Sequence, residues 1–122
     1  MLIKVLKTHN QEAISELVSH VCQLLDFHPS NIEIDDLYEK GINGMCIDLS
    51  QDEFLILLRD HDRMMHTLVH ELVHAKQYMK QNLGSYLDAQ SINYETAWWE
   101  VEARKLTKYI MENYDERNGT AE

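Results

Sequence analysis

Residues 60–81 read DHDRMMHTLVHELVHAKQYMKQ, and the fold hinges on this stretch. Met65, Leu68, Leu72, Ala75 and Met79 recur at the spacing of one face of a helix, the face that packs on a sheet. His66, His70, His74 and Gln77 fall on the opposite side. Asp60 or Asp62 is placed to cap the start, and Gly84 stands where the helix is expected to end. The second stripe then meets solvent or lines a cleft.

Within this helix runs His70-Glu71-Leu72-Val73-His74. Two imidazoles four residues apart sit about one turn apart on one face, so both can bind a single tetrahedral ion. Glu71 lies about 100° round from His70, at the shoulder of that face. From there a carboxylate reaches a metal-bound water without becoming a ligand, the arrangement of metal-assisted hydrolysis. Seven histidines in 122 residues make a chance match a real alternative, so the surroundings must sharpen the motif.

Working outward, residues 53–58 (EFLILL), 45–49 (MCIDL) and 31–35 (NIEID) are short candidate strands, separated by turn signals at Gly41, Asn43-Gly44 and Ser50–Asp52. Such short spacings favour an antiparallel meander over crossover units. Residues 2–6 (LIKVL) suit a first strand. Residues 10–27 suit an amphipathic helix bearing Ile14, Leu17, Val18, Val21, Leu24 and Leu25. A capping box at Thr8–Gln11 would open it and His28-Pro29 would end it. His20 and His28 are expected at the surface or in caps. A third helix is expected over about 95–113, with a frayed polar tail from Asp115 to Glu122. The expected class is α+β: a small mixed or antiparallel sheet, an N-terminal helix, a motif-bearing helix and a C-terminal helix in one domain, 1–122.

A two-histidine site needs a further ligand, and a carboxylate from a following helix supplies it. Trp98-Trp99-Glu100-Val101-Glu102-Ala103-Arg104 offers two. Trp99, Ala103, Leu106, Ile110 and Tyr114 make the expected buried stripe. Glu100 flanks it with Thr107 and Met111, and Glu102 lies on the other flank. Residues two apart diverge by about 200°, so one of the two faces the metal. Glu100 is favoured and Glu102 stays open. Tyr94 is placed to donate to an oxyanion or to pack its ring, His66 to help in the cleft or to remain at the surface, and one of Trp98 and Trp99 to wall the cleft.

Composition bounds the rest. Hydrophobic residues make up 44% and charged residues 26%, an ordinary globular balance. No apolar run matches a bilayer span and no signal-peptide core opens the chain, which points to a soluble, cytoplasmic protein with no membrane partner. A net charge of −10 repels phosphate backbones and so excludes nucleic acid as a general partner; a basic protein or peptide suits it better. Cys22 and Cys46 are expected as free thiols.

The run His70 to Tyr78, followed by Gly84, Tyr94 and Trp99-Glu100-Val101-Glu102-Ala103, resembles small zincin-like metallopeptidases of phages and bacteria. These are related in pattern to the SprT-like and minimal gluzincin groups. The resemblance spans residues 66–104. It implies a mixed sheet with an active-site helix, Zn2+ on His70, His74 and Glu100, and Glu71 as general base acting on a peptide or protein substrate. Two departures stand out: Trp98 occupies a position where similar sequences often have proline, and no third histidine follows His74. DNA-associated proteolysis is therefore not inherited. The substrate is expected to lie along a sheet edge, with 53–58 the candidate strand. The rival expectations are a non-catalytic module stapled by zinc and an acidic interaction protein.

Overall fold

The computed structural model describes residues 1–5, 10–87 and 96–119. Strand β1 (Leu2–Val5) and helix α1 (Gln11–Leu24) are followed by three strands, β2 (Asn31–Asp36), β3 (Gly44–Ser50) and β4 (Glu53–Leu58), and then by helices α2 (Met64–Lys80), the one-turn α3 (Gly84–Leu87) and α4 (Trp98–Gly119). The class is α+β.

The sheet order is β1-β2-β4-β3, and it corrects the expected meander. Among the described residues β1 pairs parallel with β2, β2 pairs parallel with β4, and β3 pairs antiparallel with β4. The chain leaves β2, runs out to the sheet edge as β3, then folds back so that β4 inserts between the two. The reason lies in the side chains. Phe54, Ile56 and Leu58 are buried, and Leu55 and Leu57 are half-buried, so β4 is apolar on both faces and belongs inside the sheet. β3 ends in exposed Asp48, Leu49 and Ser50, as an edge tolerates.

The inward residues come into register as Ile32↔Phe54 and Ile34↔Ile56. Over them pack Ile14, Leu17, Val18 and Val21 of α1 with Leu68, Val69, Leu72 and Ala75 of α2. Each fully buried Leu, Ile, Val or Phe side chain here is worth about 1.5–3 kcal/mol relative to exposure. α4 packs on α2, making a third layer at the motif-bearing end.

Helix boundaries differ in several places from those expected. Asn10 caps α1 by accepting from Ala13 N–H at 3.1 Å; Thr8 lies outside the described residues. The helix closes well before His28-Pro29, because Asp26 turns left-handed (φ 48) and Phe27 N–H returns to the Cys22 carbonyl, which drops the Phe27 ring into the core. Neither Asp60 nor Asp62 caps α2. The N-cap is Arg63, whose N–H donates to His61 Nδ1. Asn82 (φ 55), rather than Gly84, supplies the left-handed residue after α2, and Gly84 opens α3. α4 continues through 115–119, expected to fray; 120–122 lie outside the described residues. Leu24 and Met79 are exposed despite their apolar spacing. His28 is at the surface, bonded to Asp26, whereas His20 is half-buried against the Tyr114 ring at 5.3 Å. Among the described residues no helix is long and apolar enough to cross a membrane.

Candidate metal centre

α2 is covered on two sides. Leu68, Leu72 and Ala75 bury against the sheet, while His70, Glu71 and His74 look toward β3 and the start of α4. One helical turn brings His70 Nε2 and His74 Nε2 to 3.1 Å, with ring centroids 4.7 Å apart at 81°. Glu100, in the first turn of α4, reaches across. Its Oε1 lies 2.9 Å from His74 Nε2 and its Oε2 3.3 Å from His70 Nε2. The three donor atoms fall within 4.8 Å of one another, making a group able to hold a metal ion. Two imidazole nitrogens and a carboxylate are the donors that a catalytic zinc site takes, with a position left for water.

Hydrogen bonds from His70 and His74 hold the Glu100 carboxyl well below the usual carboxylate range. Burial lowers the His74 pKa, but the bonds to Glu100 and Gln77 outweigh it and the net shift is upward. Burial raises the Glu71 carboxyl, against the nearby His74 and His70. Glu71 is 9% exposed, and β3 presses close to it. A Cβ built on Gly44 would stand 2.4 Å from Thr67 Cγ2 and 3.3 Å from Glu71 Cγ. Only glycine lets the strand pass there.

Glu102 points elsewhere. It accepts from Gln77 at 3.1 Å and Gln81 at 3.3 Å and pairs with Lys76 at 3.5 Å. Of the two candidate carboxylates, Glu100 is therefore the one beside the imidazoles. Trp99 is buried and walls one side, while His66 lines the cavity beyond His70 without joining the three-residue group. Tyr94 lies outside the described residues. Cys22 and Cys46 are free; burial raises the Cys22 thiol to about 12 and the Cys46 thiol well above its ordinary value, so neither offers a thiolate at neutral pH.

Sequence reasoning missed the role of Gln77. Its Nε2 donates to the Trp99 carbonyl at 2.9 Å, so its Oε1 is the acceptor for His74 Nδ1 at 2.7 Å. That bond puts a hydrogen on Nδ1 and, in the neutral ring, turns the Nε2 lone pair toward His70 and Glu100. The signal was an amide three residues after the second histidine, on the same face.

Two cavities meet at Ile42, Gly44, His70 and Glu71, one of about 740 Å³ toward the middle of α4 and one of about 390 Å³ toward α3. Fold and site together define an α+β protein with a mixed sheet and a His-His-Glu cluster opening on a cleft. The chain belongs to the DUF3920 family, described as a protein of unknown function, whose pattern matches residues 5–118. No curated protein and no solved structure matches it.

Proposed function

We propose that this chain is a zincin-type zinc metallohydrolase acting on peptide bonds. The observation that supports this reading is the convergence of His70 Nε2, His74 Nε2 and the Glu100 carboxylate on one point, with Glu71 buried beside them. His70, His74 and Glu100 would hold the ion. When bound, zinc polarises a carbonyl and makes water a nucleophile near neutral pH.

The chain's own residues do the rest. Glu71 takes the proton of the attacking water and hands it to the leaving nitrogen. Gln77 fixes the His74 ring. The substrate edge expected at 53–58 is corrected: β4 is interior, and among the described residues the strand with a free edge beside the cluster is β3. Its unpaired backbone groups suit an extended peptide.

Elemental analysis of protein purified without added metal is expected to find one equivalent of zinc in the wild type and a large loss in His74→Ala. Glu71→Gln should keep its zinc while losing about 10²–10⁴ in turnover of peptides cleaved by the wild type. Absence of stoichiometric metal sinks the reading, as does full turnover by Glu71→Gln. Zinc without any peptide cleavage would leave only a structural metal.

A further inference from the structure

The two cavities differ in chemistry. The smaller, beside His74 and Glu100, is walled by Met45, Tyr78, Leu83 and Trp99. The larger leaves His70 and Glu71 in the other direction and is lined by Arg63, His66, Arg104 and Lys108. Arg104 and Lys108 follow Glu100 by one and two turns of α4, and His66 precedes His70 by one turn of α2. The basic side chains thus form rows that lead away from the same cluster.

Their enrichment runs against the whole chain. The protein has 11 Lys and Arg against 21 Asp and Glu. Among the described residues, the larger cavity has three Lys and Arg against two acids, Glu71 at the cluster and Glu112. Net charge alone pointed to a basic visitor, yet the space next to Glu71 carries the opposite local sign. Guanidinium groups pair with carboxylates through two parallel hydrogen bonds, and a concave wall focuses their field.

We propose that the larger cavity is a carboxylate-binding subsite, seating an acidic group of the peptide to one side of the bond presented to Glu71. The carboxylate is supplied by an Asp or Glu side chain or by the peptide's C-terminus, and the smaller cavity takes an apolar residue on the other side. This assignment rests on the hydrolase reading above and names its substrate class.

The test uses zinc-loaded full chain carrying Glu71→Gln, so that bound peptide is not consumed. Fluorescence anisotropy measures dissociation constants for labelled peptides that differ only as Glu against Gln beside an apolar residue, and as free against amidated C-terminus. Acidic forms are expected to bind about tenfold more tightly at low salt, with the preference shrinking as salt rises. In an added Arg104→Gln/Lys108→Gln background, both exposed positions, the preference should fall below about threefold while melting temperature and zinc content hold. A preference for Glu that survives amidation assigns a side chain, and a preference for the free end assigns the terminus. Equal binding of acids and amides overturns the subsite, as do a preference that survives the double substitution and a failure of every peptide to bind. Zinc content and wild-type cleavage of the same peptides are read separately. Zinc retained with Gln peptides cleaved as fast as Glu peptides sinks the subsite alone. Acid preference in a chain that holds no zinc sinks the hydrolase and leaves the subsite.

Discussion

His74 is gripped at both ring nitrogens, Nδ1 by Gln77 and Nε2 by Glu100 and His70, and its pKa is raised above the ordinary 6.5. A raised histidine pKa contributes stability that is complete below 6.5 and lost as pH climbs through the folded value. Glu100 runs the other way: its depressed carboxyl contributes stability present above the unfolded value of about 4.3 and lost only in stronger acid. Without metal, the cluster is therefore worth less at about pH 8 than at about pH 6. Zinc needs neutral imidazoles, so its stabilisation has the opposite trend. Thermal melts with chelator and with zinc should show a larger zinc-induced rise in Tm at about pH 8 than at about pH 6; equal rises would contradict this. Gln77→Leu removes the partner of His74 Nδ1 and the donor to the Trp99 carbonyl, and should weaken zinc binding about 10–100-fold by chelator competition. Gln77→Glu, which keeps the acceptor, should recover part of the loss. Unchanged affinity in the leucine variant would remove Gln77 from any positioning role.

At the scale of elements, the close pass of β3 over α2 decides where Glu71 sits. Gly44→Ala puts a methyl 2.4 Å from Thr67 Cγ2, and the neighbour is a branched side chain on a helix, with little room to give. The substitution should cost about 1–3 kcal/mol in denaturant unfolding. Thr67→Ser removes that Cγ2 and keeps the hydroxyl that faces His61 Nε2 at 3.3 Å, so it should restore most of the loss. A purely additive cycle would show that the contact does not matter. The local signals for α2 were strong, since helical spacing and the paired histidines depend only on the backbone's own period. The strand order was not local. The short spacings around β3 suggest a meander, whereas the two-sided apolar character of β4 makes it a central strand. The choice between Glu100 and Glu102 depended on how α4 is turned. Thr107 and Met111 are buried while Leu106 and Tyr114 are only half-buried, so the buried face is rotated toward the Glu100 flank of the expected stripe. No helical wheel fixes that rotation, because the packing against α2 sets it.

Across the whole molecule, the sheet with α1 and α2 forms the densely buried part, and α4 is held to it chiefly through α2. The N-terminal end of α4 is fastened by polar contacts: Glu100 to the two imidazoles, and Gln77 to the Trp99 carbonyl and Glu102. Buried Trp99 and Ala103 add apolar packing there, and Ile110 and Met111 join the main core further along. An ion shared by His70, His74 and Glu100 would join α2 to this polar end, and binding to the folded state alone stabilises it against global unfolding and against any partial opening that breaks the site. Zinc should therefore slow amide hydrogen exchange in the first turns of α4 and the middle of α2, whose local opening breaks the site. β2 and β4, buried in the core and opening only by global unfolding, should slow as well, whereas openings that leave the site intact should not respond. Exchange measured by mass spectrometry with zinc and with chelator reads this directly. Slowing of β2 and β4 with none in the first turns of α4 would mean that Glu100 does not share in holding the ion, and no slowing anywhere would mean that the ion does not bind the folded chain.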